Sequence, residues 1–213
     1  MMQPLMRFSA AIRPDRKSGL GVWLAAGLAL TLAACTAPKA SYEPERVTFS
    51  ETPAWRLAAD QIVIKEGPGV SPPDSAVAIR IAEAPVAIIR RWAETRLRTD
   101  PASRGTVTVL IERAEASEKF LQKPRGVTAA FADNNEAEVT VAFAVVITAT
   151  DSSGASSGEA RADASIVSTR KESADEDEKR KQLDRMLRDA ASRLDVELNK
   201  RIPTGLAPFL QPR

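Results

Sequence analysis

Histidine is absent from the chain, and cysteine occurs once, at Cys35. Zinc sites are built largely from cysteine and histidine, and most serine or cysteine nucleophiles are activated by a histidine. Composition therefore excludes such sites, together with an intrachain disulfide and a histidine-based response to pH. An oxygen-ligand site for calcium or magnesium stays open in principle, although no aspartate-rich loop with the required spacing occurs. We expect no cofactor and no metal.

An excess of positive charge is also lacking. The whole chain has 30 basic and 28 acidic residues, but the first 34 residues hold four of the basic and one of the acidic ones. The remainder therefore has a net charge near −1. Such a balance gives no broad positive surface for phosphate groups, so we expect no nucleic-acid partner.

Charged residues are missing between Ser18 and Ala34, a run that follows a basic N-terminal stretch and ends on small residues. This layout is typical of a secretory signal peptide. A membrane-spanning helix is the alternative, because the uncharged run approaches the roughly 18 residues that such a helix needs. The alanine and glycine content and the end of the run at Cys35 favour a signal peptide over residues 1–34.

The residues Leu32-Ala33-Ala34-Cys35 resemble the lipobox of bacterial lipoproteins. The resemblance implies cleavage between Ala34 and Cys35 and acylation of Cys35 as the first residue of the mature protein. Several acyl chains anchor a protein stably, whereas one chain binds it only marginally. Thr36 stands where inner-membrane retention prefers aspartate, so the resemblance favours the outer membrane. We expect the mature chain to be lipid-anchored at the periplasmic face of a membrane.

The stretch after the cysteine carries three prolines and no apolar period. It predicts a flexible tether over residues 35–55. Within it, Tyr42 and Trp55 either contact a partner or cover the edge of the folded domain. We place a single domain at residues 56–203 and a C-terminal tail at residues 204–213.

Hydrophobic periodicity within the domain predicts the element order β-α-β-β-β-α. The closing helix is predicted to begin with a capping box of Ser173 and Glu176 and to stop at Pro203 and Gly205. The strands are predicted at about 57–65, 106–112, 137–151 and 159–171, and the first helix runs from about 85 to 99. The expected fold is an α/β (α+β) two-layer sandwich, in which a mixed sheet of about four strands carries two helices on one face.

A long connection, residues 114–136, separates two of the predicted strands and contains Phe120, Leu121 and Phe131. Long connections are often functional or folded locally. These apolar side chains either close the open end of the sandwich or form a contact patch for a partner protein or a lipid.

Two resemblances bear on function. The order of strands, Ser/Gly turn and charged closing helix is similar to that of the lipopolysaccharide-assembly translocon lipoprotein and of auxiliary lipoproteins of lipid transporters, although Thr36-Ala37-Pro38 departs from the former. The segments 55–64, 92–98 and 113–116 resemble proteobacterial periplasmic lipoproteins of unassigned function. Both resemblances imply an envelope protein whose partner is an unknown envelope protein or lipid.

Enzymatic activity has little support in the residues. The pairs Glu112 with Glu115 and Glu136 with Glu138 are what half-solvated strands ordinarily carry, and spacing alone does not show a shifted carboxyl pKa. We therefore expect no catalytic residues and a non-catalytic binding or assembly factor. An auxiliary subunit of a lipid transporter and an envelope hydrolase with a carboxylate site are the alternatives.

Overall fold

The computed structural model describes residues 42–49, 53–71, 81, 83–122 and 135–212. The predicted signal peptide and its cleavage site at Ala34 and Cys35 lie outside these residues, as does Phe131. Residues Tyr42–Arg213 belong to one compact unit.

The described chain forms six strands and two long helices. In chain order they are β1 (Trp55–Leu57), β2 (Gln61–Val70), α1 (Pro85–Arg96), β3 (Leu97–Thr99), β4 (Gly105–Phe120), β5 (Asn135–Asp151), β6 (Ser157–Lys171), α2 (Glu176–Gly205) and a 3-10 turn (Ala207–Phe209). The fold is α+β, as the periodicity predicts.

Two sheets are present in this part of the chain. The larger has the order β2-β4-β5-β6, with β2 parallel to β4 and the other neighbours antiparallel, and the smaller pairs β1 with β3 in parallel. Parallel neighbours require a long crossover, which α1 supplies between β2 and β4. The predicted mixed sheet of four strands is confirmed, and the small β1-β3 sheet is an addition to it.

Both helices cover one face of the larger sheet. Alternate residues of β5, from Val139 to Ala149, belong to one buried core with the apolar residues of α1 and α2. On β6 the inward residues are small, Ala160, Ala162 and Ala164, so α2 lies close to the strand. At Gly205 the approach leaves no room for a side chain, because a Cβ atom would overlap the carbonyl oxygen of Glu159.

The strand β4 runs farther than predicted. Residues 114–120 are strand and not part of a connection, and β4 pairs with β5 as far as Phe120 opposite Ala137. A bulge between Ile111 and Arg113 explains the error, because an extra residue shifts the alternation of inward and outward side chains. Val109 and Ile111 point inward before the bulge, and Ala114 and Ala116 do so after it.

The first predicted strand, 57–65, is two strands separated at residues 58–60. In addition, β2 continues through Gly67-Pro68-Gly69, where the sequence predicts a stop. The register between β2 and β4 shifts between Glu66 and Gly69, and this irregularity accommodates the glycines and the proline in an edge strand.

The ends of α2 also differ from the prediction. Its capping box consists of Asp175 and Glu178, with Glu178 N donating to Asp175 Oδ1 at 2.8 Å. Ser173 precedes this box because the chain first completes a turn, in which Ala174 N donates to the carbonyl of Lys171. Pro203 lies within the last turns of the helix and does not end it.

The domain boundaries at 56 and 203 are too narrow. Val47 and Phe49, assigned to the flexible tether, belong to the buried core, as do Leu206 and Phe209 of the predicted tail. The tail is fixed by backbone hydrogen bonds, among them Ala58 N to the Phe209 carbonyl at 2.7 Å. These apolar residues stand in runs too short to indicate a helix or a strand, so periodicity does not identify them.

Candidate functional site

Of the predicted contact residues, Phe120 and Leu121 lie at one end of the larger sheet, and Phe131 is outside the described residues. Phe120 is the last residue of β4, and its side chain is 66% exposed, so it does not close the core. Leu121 is partly exposed, and its N–H donates to the Glu136 carbonyl at 2.9 Å. We call this end the sheet tip and define it as residues 118–121, 135–138 and 169–171.

A buried ion pair joins the strands of the sheet tip. Arg170 of β6 contacts Glu118 of β4 at 2.5 Å, and the two side chains are only 4% and 7% exposed. Glu136 of β5 lies 3.6 Å from the Arg170 Nε atom. Hydrogen bonding to Glu118 raises the pKa of Arg170, against the lowering effect of burial. The arginine is therefore permanently charged and fixes β4, β5 and β6 together beside Phe120.

A second buried network joins α1, α2 and β1. Arg96 is fully buried, and its guanidinium donates to Asp195 Oδ1 at 2.9 Å and to Asn199 Oδ1 at 2.6 Å. The indole nitrogens of Trp92 and Trp55 donate to the same two side chains. The sequence offers one signal for this network, namely an arginine at i+4 from Trp92 on the apolar stripe of α1.

The arrangement around Arg96 is structural. Every donor described above has an acceptor, and Arg96 is shielded from solvent. The ring of Trp92 packs in the core, whereas Trp55 covers the domain edge, which is one of the two roles predicted for it. A fully hydrogen-bonded buried network of this kind fixes the relative position of the helices.

The segment 42–49 crosses α1 and α2 and leaves two cavities beneath it. The larger, about 380 Å³, is lined by Arg188, Ser192 and Asp195, and the smaller, about 240 Å³, is lined by Asp184 and Glu83. A hydrogen bond from Arg91 Nη1 to the Val47 carbonyl, at 2.9 Å, holds the segment against α1.

Asp184, which lines the smaller cavity, is a buried carboxyl with a shifted pKa. It is 7% exposed, and its burial raises its pKa, against the lowering effects of Tyr42 and Arg188. Burial likewise raises the pKa of Tyr42, with Asp184 acting in the same direction. Within residues 42–49, 53–71, 81, 83–122 and 135–212, no group of three or more histidine, cysteine or acidic side chains is placed to hold a metal ion.

Three of the four carboxylates of the pairs identified in the sequence lie beside arginines in the described structure. Glu112 contacts Arg161 at 2.6 Å, and Glu115 lies 3.7 Å from Arg113. Glu136 belongs to the ion-pair cluster of Arg170. Glu112 and Glu115 thus face arginines on exposed or half-exposed strand surfaces, whereas Glu136 lies beside the buried Arg170.

Among the helices that the structure describes, none is long and apolar enough to cross a membrane. No protein-family model matches the chain, and no curated protein sequence shows significant similarity to it. Among solved structures, one that matches is a protein from Xanthomonas campestris that is assigned to the family DUF330, and the TM-score of the match is 0.29. The two chains are 11% identical over 72% of this chain and 91% of the other.

Proposed function

We propose that the mature protein is a lipid-anchored, non-catalytic binding or assembly factor of the bacterial cell envelope. The anchor rests on the lipobox-like Leu32-Ala33-Ala34-Cys35 at the end of an uncharged leader. It holds the domain at the periplasmic face of a membrane, and Thr36 favours the outer membrane.

The observation that carries the binding role is the exposed ring of Phe120 on the sheet tip. An aromatic side chain that is 66% exposed beside the buried Arg170–Glu118 pair is presented by a rigid element. Rigid aromatic anchors supply a large share of binding energy at interfaces. The engagement of Glu112 and Glu115 with arginines disfavours the hydrolase alternative.

The anchor is tested by Cys35→Ala in the full-length chain. Labelled fatty acid should no longer be incorporated, because no other cysteine is present to accept it. Thr36→Ala is the matched control and should keep the label. Unchanged labelling of Cys35→Ala would exclude a lipid anchor at this residue.

The binding role is tested in the same cells by Phe120→Ser. Since Phe120 is exposed, the melting temperature should hardly change, while crosslinks from the anchored protein to its partner should be lost. Val196→Ser, at an exposed position of α2, is the control and should keep the crosslinks. A melting temperature lowered by Phe120→Ser would show that the ring is part of the core.

A further inference from the structure

We propose that the sheet tip faces the bilayer and that Phe120 inserts into the headgroup layer of the membrane that holds the anchor. The inference rests on the proposed lipidation of Cys35 and names the partner of the exposed ring as a lipid surface.

A short connection joins the proposed anchor to the folded domain. Tyr42 follows Cys35 by seven residues, which span at most about 25 Å when fully extended. Tyr42 is held against the N-terminal half of α2, where the Lys181 Nζ atom lies 5.6 Å from the centre of its ring. Tyr42 also hydrogen-bonds to Asp184, one turn farther along the helix. The acyl chains therefore lie within about 25 Å of this half of α2.

The sheet tip lies beside this N-terminal half of α2. Gln182, next to Lys181, donates to the Thr169 carbonyl of β6 at 3.0 Å. From there the tip continues through Arg170 to Glu118, two strands away. Neighbouring strands lie about 4.8 Å apart, so Phe120 lies only about 10 Å from β6 across the sheet. A bilayer that holds Cys35 is thus within reach of Phe120.

The side chains at the sheet tip include an exposed aromatic ring and charges of both signs. Phe120 is exposed beside Lys119, which is exposed as well. An aromatic ring flanked by a long basic side chain suits the boundary between headgroups and acyl chains. The start of α2 adds acidic side chains to the same end, Glu176, Asp177 and Glu178. Since both signs of charge are present, zwitterionic headgroups fit the tip better than a strongly anionic surface.

The lipidated protein itself allows a direct test. Because the thiol of Cys35 is consumed by acylation, Phe120→Cys introduces the sole free thiol of the mature chain, and this thiol accepts a nitroxide label. The labelled protein is reconstituted into vesicles of phosphatidylethanolamine and phosphatidylcholine. The collision rates of the nitroxide with oxygen, which concentrates in lipid, and with a water-soluble nickel chelate are then compared.

Val196→Cys provides the matched control. Val196 is also exposed, but it lies 14 residues beyond Gln182 on α2, about 21 Å along the helix. We expect an oxygen-to-nickel ratio several-fold higher at position 120 than at position 196. The ratio should persist at high ionic strength, because the apolar label that replaces the ring inserts into the bilayer without charge attraction.

Each other outcome overturns the inference in a distinguishable way. If the protein floats with the vesicles but the oxygen-to-nickel ratios at positions 120 and 196 are equal, the anchor is supported and membrane contact by Phe120 is excluded. Low accessibility of position 120 to both reagents indicates that another protein or a second copy covers the ring. Protein that does not float with the vesicles, and whose Cys35 accepts the label, refutes the anchor itself.

Discussion

At the scale of single residues, Arg96 is the side chain whose removal should damage the fold most. Arg96→Ala would leave Asp195 without its buried cation, and breaking such a pair costs about 3–5 kcal/mol of unfolding free energy. Arg98 is exposed two residues later, so Arg98→Ala should change stability by no more than about 0.5 kcal/mol. Urea unfolding followed by circular dichroism measures both variants, and equal midpoints would mean that the network around Arg96 contributes little.

Asp184 should make the stability depend on pH. Burial raises its pKa in the folded state, so the folded protein holds this proton more tightly than the unfolded chain does. The free energy of unfolding should therefore fall as the pH rises from the ordinary carboxyl value through the raised one. Asp184→Asn should remove this slope and be more stable than the parent at neutral pH.

Urea midpoints measured across the acidic range test this expectation, with Asp189→Asn as the control. Asp189 lies on the exposed side of the same helix, so its replacement should leave the pH profile in place. A loss of stability in Asp184→Asn at neutral pH would show that Tyr42 and Arg188 compensate for the burial of the charge.

At the scale of the elements, α2 depends on its buried stripe. Leu187 and Leu194 are 2% and 0% exposed, and each change to alanine should cost about 2–5 kcal/mol, because the cavity is only partly filled by relaxation. Val196→Ala, on the exposed side, is the matched control. Thermal unfolding that does not distinguish Leu194→Ala from Val196→Ala would mean that the helix is packed differently.

The elements show which parts of the fold the sequence can predict. Regular alternation predicts β5 and β6, and leucine spacing predicts the buried stripe of α2, because each signal is local and periodic. The extension of β4 to Phe120 was missed, since a bulge interrupts the period. The cap at Asp175 was missed because Ser173 offers an equally good local pattern, and the preceding turn decides between them.

At the scale of the whole molecule, prediction fails where residues distant in sequence meet. The sequence indicates Phe120 as a candidate contact because the residue is apolar and falls in the predicted connection 114–136. Its rigid support is not predictable from the sequence, because Arg170 and Glu118 are 52 residues apart and only the strand register brings them together. The packing of residues 42–49 on the helices is not predictable from the sequence either, since Val47 and Phe49 alternate over only three residues and their contacts are distant in sequence.

The predicted and the observed boundaries of the domain can be compared by experiment. The sequence predicts a domain at 56–203, whereas the structure buries Val47, Phe49, Leu206 and Phe209 beyond those limits. Burial of each of these side chains contributes about 1.5–3 kcal/mol to the free energy of unfolding. The loss of all four is therefore comparable to the total stability of a typical domain, which is about 5–15 kcal/mol.

We expect the fragment 42–213 to unfold cooperatively in urea and the fragment 56–203 to be largely unfolded in water. The fragments 56–213 and 42–203 should fall between them, because each keeps one pair of the buried side chains. The 42–203 fragment also loses the hydrogen bonds from Ala58 N to the Phe209 carbonyl and from Gln211 N to the Arg56 carbonyl, which close the small β1-β3 sheet. Equal urea midpoints for the fragments 42–213 and 56–203 would show that the domain is bounded by residues 56 and 203. Residues 42–55 would then belong to the tether.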